Sequence, residues 1–239
     1  MQPTEQNPAT DPAAAPISST RRLFLRRTTA LAVVGGAAAM LSGSFSGSAR
    51  GADAIGKDRA KKQRDEFQSI MKHEDDHVDF LVTALGGAAR PKPNFQGLEQ
   101  GSYPAFVAVA RVLENTGVSA YLGAAPFIND PDYLAAAGSI LTIEARHSGY
   151  LNTLLGDPIT ATAADEAASP SFDASATAAE IGAAVAPFIV DLNGGPAVTY
   201  AQVMTPQNDI DILNFALALE YLEREFYDIN VPKFYRVRT

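Results

Sequence analysis

Two short stretches decide how this chain folds, His73-Glu74-Asp75-Asp76-His77 and Glu144-Ala145-Arg146-His147. Each contains the motif Glu-x-x-His, and the three histidines of the chain all lie within these two stretches. Residues three apart on an α-helix lie on one face, so a Glu and a His at this spacing can bind one ion together. The two motifs therefore predict a helical protein built around a metal site.

Apolar residues recur at three- and four-residue steps around both motifs and in two further stretches, which is the pattern of amphipathic helices. Pro, Gly and other turn residues separate these stretches. The pattern predicts long helices at about 55–85, 103–124, 132–155 and 207–230, and a short helix at about 176–186. The fold class is all-α, a four-helix bundle.

Two long connectors separate the predicted helices. Residues 86–102 contain Arg90-Pro91-Lys92-Pro93 and are long enough, at about 3.3 Å per extended residue, to cross the length of a bundle. Residues 156–205 are rich in Ala, Thr, Ser, Pro and Gly, which predicts a long irregular connector before the last helix. Thr177 and Glu180 have the spacing of a capping box for the short helix within it.

The other two long helices each carry a lone glutamate on the apolar stripe. Glu114 lies beside Leu113, and Glu220 follows Leu219, with Glu223 as the alternative in the same helix. Two Glu-x-x-His pairs and one Glu from each remaining helix form the ligand set of a dinuclear carboxylate site in a bundle core. The predicted metal ligands are Glu74, His77, Glu114, Glu144, His147 and Glu220.

The donor atoms restrict the metal. The chain has no cysteine, which excludes thiolate zinc sites, iron-sulfur clusters and cysteine nucleophiles. Four carboxylates offset the charge of two divalent cations, and oxygen-rich ligands with two imidazoles suit iron or manganese. An alternative is that residues 73–77 form the His-Glu-x-x-His frame of a zinc protease, with His73 and His77 as ligands and Glu74 as the general base.

The N-terminus has the features of a targeting segment. Arg21-Arg22-Leu23-Phe24-Leu25 precedes an apolar run at 28–41, a pattern similar to a twin-arginine export signal. Cleavage near Ala52-Asp53-Ala54 divides the chain into a signal at 1–54 and a mature domain at 55–239, in the periplasm or outside the cell. The alternative is a membrane anchor, but the run is shorter than the roughly 20 residues that span a bilayer. The formal charge of −8 argues against nucleic-acid partners.

Four stretches together resemble ferritin-like proteins of the desiccation-related family. They are Lys72 to Leu81, Leu113 to Tyr121, Ala137 to Leu151 and Asn208 to Tyr227. In that family the helix that resembles Asn208 to Tyr227 comes first, whereas here it comes last, so the resemblance implies a circularly permuted order. It also implies a ferritin-like bundle with a metal site. The last helix would complete its own bundle or, in a homo-oligomer, that of a second subunit.

Two classes of function follow from these features. The first is an oxidoreductase in which iron or manganese reacts with oxygen, peroxide or ferrous iron. Glu74 and Glu144 would bridge the ions, His77 and His147 would be terminal ligands, and Glu114 and Glu220 would close the site. Tyr121 and Tyr150 lie one or two helical turns from ligands and are candidates for electron transfer. The second is a stress or storage protein that binds metal without catalysis.

Overall fold

The computed structural model describes residues 57–162 and 165–235. The predicted export signal at residues 1–54 lies outside these ranges. No helix within them is both long enough and apolar enough to cross a membrane.

Helices dominate the described residues, as the sequence predicts. The five α-helices are α1 (Lys57–Leu85), α2 (Tyr103–Ala124), α3 (Pro131–Leu155), α4 (Ala178–Val185) and α5 (Pro206–Tyr235). Two short strands, β1 (Asn94–Phe95) and β2 (Ile189–Asp191), pair antiparallel and join the two long connectors. The all-α bundle is confirmed, with α1, α2, α3 and α5 as its four long helices.

The helix ends follow from local sequence. Ser102 accepts a hydrogen bond from the backbone N–H of Ala105 at the start of α2, where proline occupies the first turn. The side chain of Asp130 caps α3, so that helix begins at Pro131, one residue before the predicted start. Thr177 and Glu180 form the predicted capping box of α4.

The directions of α1 and α2 confirm that the first connector crosses the bundle. The rings of Phe67 and Phe106, in the first halves of the two helices, have centroids 4.9 Å apart. Leu85 and Tyr121, near the two C-terminal ends, belong to one apolar cluster. The helices therefore run parallel, and the chain from 86 to 102 returns along the bundle to start α2.

The last helix packs within the bundle of its own chain, along α1 and against α2. Helix α5 also continues beyond the predicted end at Asn230. It extends to Tyr235 and includes Pro232, which was expected to end the helix. Proline removes one backbone donor from a helix. Here the aromatic residues beyond it are held by packing, with Phe234 5.4 Å from Phe106 and Tyr235 5.3 Å from Phe67 between ring centroids. The prediction of a stop was wrong because tertiary contacts outweigh the local signal.

Candidate metal centre

The six predicted ligands lie together in the middle of the bundle, and all six are buried. They form two groups in which one ligand atom per residue lies within 4.8 Å of every other. The first group is Glu74, His77, Glu144 and Glu220. The second is Glu74, Glu114, Glu144 and His147. Glu74 and Glu144 are common to both groups, and each group adds one histidine and one further glutamate.

His77 is surrounded by carboxylates. Its Nδ1 lies 3.2 Å from Glu74 Oε2, from Glu144 Oε1 and from Glu220 Oε2. Three helices contribute these oxygens, since Glu74 lies on α1, Glu144 on α3 and Glu220 on α5. One ring nitrogen carries at most one proton, so it cannot satisfy three carboxylates with hydrogen bonds.

His147 has the corresponding environment on the other side of the shared glutamates. Its Nδ1 lies 3.0 Å from Glu114 Oε2 and 3.1 Å from Glu74 Oε1. Both imidazoles therefore direct the same nitrogen, Nδ1, into the carboxylate cluster. A metal ion between these groups would bind the Nδ1 lone pair, which a protonated imidazole does not offer.

Two buried tyrosines hold the outer glutamates. The hydroxyl of Tyr121 on α2 donates to Glu220 Oε1 on α5 at 2.5 Å. In return, the hydroxyl of Tyr227 on α5 donates to Glu114 Oε1 on α2. Each tyrosine takes one carboxylate oxygen, and the other oxygen faces a histidine. Glu114 precedes Tyr121 by seven residues and Glu220 precedes Tyr227 by the same spacing, so α2 and α5 make matching contributions.

The hydrogen bonding of the two shared glutamates indicates that the site fits a metal ion. Within the described residues, Glu74 Oε1 and both carboxylate oxygens of Glu144 are buried and accept no hydrogen bond of good geometry. The nearest nitrogens, His147 Nδ1 at 3.1 Å from Glu74 Oε1 and His77 Nδ1 at 3.2 Å from Glu144 Oε1, are each shared with other carboxylates. Both side chains are 0 % exposed. A buried carboxylate without a partner costs several kcal/mol, which a bound cation removes. The oxygen-rich donor set with two imidazole nitrogens fits iron or manganese.

The electrostatics of the protein groups alone show the excess of negative charge. Burial and the neighbouring carboxylates raise the pKa of Glu144 and of Glu223 well above the usual value. Burial on its own would lower the pKa of His147. The negative charges of Glu114 and Glu74 have the larger effect and raise that pKa to about 11. The pKa of His77 is likewise raised by the three carboxylates around it, against the effect of burial. The cluster attracts positive charge, from protons or from metal ions.

Glu223, the alternative to Glu220, is also buried but belongs to neither ligand group. The space near its carboxylate exists because residue 117 is glycine. A Cβ atom at Gly117 would lie 3.0 Å from Glu144 Oε2 and 3.4 Å from Glu223 Oε1. Gly117 follows Glu114 by three residues, as Glu223 follows Glu220. Glu223 on α5 is therefore the fifth buried carboxylate of the cluster, and it lies opposite the position on α2 where Gly117 has no side chain.

His73 contacts the site from outside. Its Nδ1 lies 2.9 Å from His147 Nε2, and the planes of the two rings are nearly parallel, with an interplanar angle of 4°. His73 and His77 do not share a ligand group within the described residues, which is not the arrangement of the zinc-protease frame. Of the two tyrosines proposed for electron transfer, Tyr121 contacts a ligand, whereas the hydroxyl of Tyr150 is buried without a hydrogen-bond partner there.

Tyr227 and Gly117 were not predicted to belong to the site. The signal for Tyr227 is the repeated seven-residue spacing between glutamate and tyrosine in α2 and α5. Gly117 gives a weaker signal, because a glycine on the apolar face of a helix leaves room for the close approach of another group.

A family model for the ferritin-like domain matches residues 34–157 and 208–236, more than half of the chain. The chain therefore belongs to the ferritin-like domain family. The residues between the two matched ranges are those of the irregular connector, and α5 is included in the match. Neither a curated protein nor a solved structure matches the chain.

Proposed function

We propose that this protein binds two iron or manganese ions in the core of its bundle. The arrangement that supports this function is the pair of ligand groups that share Glu74 and Glu144. His77 and Glu220 complete one group, and His147 and Glu114 complete the other. The shared carboxylates would bridge the ions, the imidazoles would be terminal ligands, and the outer glutamates would close the site.

The proposed activity is that of an oxidoreductase. Bound iron or manganese would supply redox chemistry toward oxygen, peroxide or ferrous iron as substrate. The chain itself orients the site, because Tyr121 and Tyr227 each fix one outer carboxylate by a hydrogen bond. Leu113 and Leu219, which precede Glu114 and Glu220 in the sequence, are buried. Tyr121 is the better candidate for electron transfer, since its hydroxyl is bonded to a ligand.

A non-enzymatic metal-storage or stress protein is the second candidate. The complete burial of Glu74 and Glu144 favours it, because ions held there would stabilise the fold without needing access for a substrate. The zinc-protease alternative is disfavoured, because it requires His73 and His77 to converge on one ion while Glu114, Glu144 and His147 have no role in it.

The ends of the chain support export and a rearranged helix order. The twin arginines at 21 and 22 and the apolar run at 28–41 support transport by the twin-arginine route to the periplasm or beyond. The last helix carries the stretch that resembles the first helix of desiccation-related proteins, and it packs in its own bundle. This packing is consistent with a circular permutation, for which residues 156–205 supply ample length.

Metal content measured by mass spectrometry tests the site. Protein purified from its native compartment is expected to contain about two iron or manganese ions per chain. The double variant Glu74→Gln, Glu144→Gln is expected to contain neither metal. Asp75→Asn is the matched control, because Asp75 lies next to Glu74 on α1 but is half exposed and faces Arg224. A folded wild-type protein without metal would overturn the function. Assays of peroxide consumption and ferrous-iron oxidation then separate an enzyme from a storage protein.

A further inference from the structure

The two ligand groups of the metal centre contain the same residue types. The first, called here the His77 group, consists of Glu74, Glu144, His77 and Glu220, and the second, called the His147 group, consists of Glu74, Glu144, His147 and Glu114. Each lone glutamate is also bonded to a tyrosine, Glu220 to Tyr121 and Glu114 to Tyr227. Any difference in affinity between two ions bound there would therefore come from the residues around the two groups.

The first difference lies at the outer nitrogens of the two imidazoles. His147 Nε2 lies 2.9 Å from His73 Nδ1, a contact of the kind that orients a ligand and fixes its tautomer. Among the described residues His77 has no such partner, because all of its polar contacts join Nδ1 to carboxylates. The sequence gives the cause. The residue directly before the glutamate of the motif is His73 in α1, but it is Ile143 in α3.

The second difference is the packing beyond the two groups, which is tight on the side of the His147 group. Tyr227, which holds Glu114, meets the rings of Phe106 and Phe226 edge to face, with centroids 6.2 and 5.5 Å apart. All three rings are 0 % exposed. Close-packed side chains have little room to move, so the outer carboxylate of this group is held rigidly.

The packing is looser on the side of the His77 group. A cavity of about 30 Å³, partly open to solvent, lies at this end of the bundle. Leu81, which lines the cavity, follows His77 by one helical turn. Tyr121, the residue that holds Glu220, also forms part of the wall. A side chain beside unfilled space lacks packing contacts on that side, so the ligands of this group can move apart more easily.

We propose that the two ion positions are unequal and fill in a fixed order. The His147 group takes the first ion and holds it more tightly, and the His77 group takes the second ion and releases it first. This inference rests on the function proposed above, because it concerns the ions of the same site. Loss of an outer hydrogen-bond partner commonly lowers metal affinity about 10- to 100-fold, so the two affinities should differ by at least about tenfold.

Titration of the purified protein with manganese, after a chelator has removed its own metal, measures the two affinities. We expect two steps of one ion each, with dissociation constants at least about tenfold apart. Two ions bound with equal affinity would overturn this inference and leave the proposed function standing. A folded protein that binds neither manganese nor ferrous iron would overturn the proposed function.

A matched pair of variants identifies the group that holds the first ion, since repulsion between two ions would also separate the steps. Glu220→Gln and Glu114→Gln each remove one outer carboxylate charge and keep the volume of the side chain. Glu220→Gln should retain one ion with about the affinity of the first wild-type step. Glu114→Gln should retain one ion that binds at least about tenfold more weakly. Equal affinities in the two variants, or the reverse order, would overturn the inference.

Ile143→His tests the role of the outer histidine directly. The substitution gives α3 the residue that precedes the glutamate in α1, so its imidazole should lie beside His77 as His73 lies beside His147. Introduced together with Glu114→Gln, it should raise the affinity of the remaining ion, whereas the control Ile143→Leu should not. An unchanged affinity in the folded protein would overturn the role assigned to the outer histidine. If Ile143→His does not fold, the two glutamine variants still decide which group binds more tightly.

Discussion

His73 Nδ1 lies 2.9 Å from His147 Nε2, and the planes of the two imidazole rings differ by 4°. The other nitrogen of His147, Nδ1, faces Glu114 and Glu74 in the buried cluster. If Nδ1 binds a metal, the proton of His147 must be on Nε2, where it can be donated to His73. The contact thus selects the tautomer that a ligand needs and fixes the orientation of its ring.

His73→Ala is therefore expected to weaken metal binding without removing any ligand. Loss of such an outer hydrogen-bond partner commonly lowers metal affinity about 10- to 100-fold. His73→Asn should recover part of the loss, because its side-chain oxygen can accept a hydrogen bond near the position of Nδ1. Competitive manganese titrations of the three proteins provide the measurement. Equal affinity in all three would show that the histidine contact has no positioning role.

The cluster of buried carboxylates and histidines was the most predictable part of this chain. Two Glu-x-x-His pairs need one glutamate from each remaining helix to complete a dinuclear ligand set, and Glu114 and Glu220 are the glutamates on the apolar stripes of those helices. The structure brings both into the cluster with Glu74 and Glu144. The start of α2 at Tyr103 was also predictable, because Pro104 lies in its first turn.

Other features depend on packing between distant parts of the chain. Only the neighbourhood of Glu144 and Glu223 reveals why residue 117 is glycine. Likewise, α5 passes through Pro232 because aromatic residues from α1 and α2 hold its last turn, and no local pattern in α5 reports that. Periodicity places a side chain on a face of a helix, but the partner on another helix follows only from the bundle geometry.

The two buried glutamates of α5 should differ in their effect on metal stoichiometry. Glu220 belongs to a ligand group and Glu223 does not. We expect Glu220→Gln to lower the number of tightly bound ions from about two to about one per chain. Glu223→Gln should leave two ions bound, since its volume and burial are kept. Quantitative metal analysis after gel filtration distinguishes them, and the reverse pattern would identify Glu223 as the ligand.

Arg111 should be important for stability although it lies outside the metal site. Its guanidinium is 1 % exposed and donates to Asp157 and Glu166, both at 2.6 Å, which ties the irregular connector to α2. Hydrogen bonds to charged groups contribute about 1.5–3 kcal/mol each when buried. Because both acids are partly exposed, water would solvate them in Arg111→Met, and we expect the free energy of unfolding to fall by only about 1–2 kcal/mol.

Urea unfolding followed by circular dichroism measures that change, and limited proteolysis should show faster cleavage in the connector. Glu166→Gln is the matched control. Glu166 is 58 % exposed, so its loss should change stability by less than about 0.5 kcal/mol. An Arg111→Met protein as stable and as protease-resistant as the wild type would mean that the connector is held by its apolar contacts alone.

Two glycines in neighbouring helices should respond to alanine in opposite directions. A Cβ atom at Gly123 in α2 would lie 1.8 Å from the carbonyl oxygen of Ala176, so the backbone of the connector would have to move. The movement would disturb the hydrogen bond from the Ala176 N–H to the Ser119 carbonyl, which is 3.0 Å long. We expect Gly123→Ala to destabilise the protein by at least about 1–3 kcal/mol, as overpacking commonly does.

Gly138 in α3 is the control for this substitution. Apart from its two neighbours in the chain and the backbone of its own helix, no atom of the described residues lies within 4 Å of a Cβ atom placed there, so alanine should fit without strain. Alanine is favoured over glycine in a helix interior by about 0.8–1.0 kcal/mol, and Gly138→Ala should therefore raise the free energy of unfolding by a similar amount. Chemical denaturation of both variants beside the wild type gives the two values. If Gly123→Ala were also stabilising, the connector would not lie directly on α2 at residue 176, and the close contact between these two backbones would be wrong.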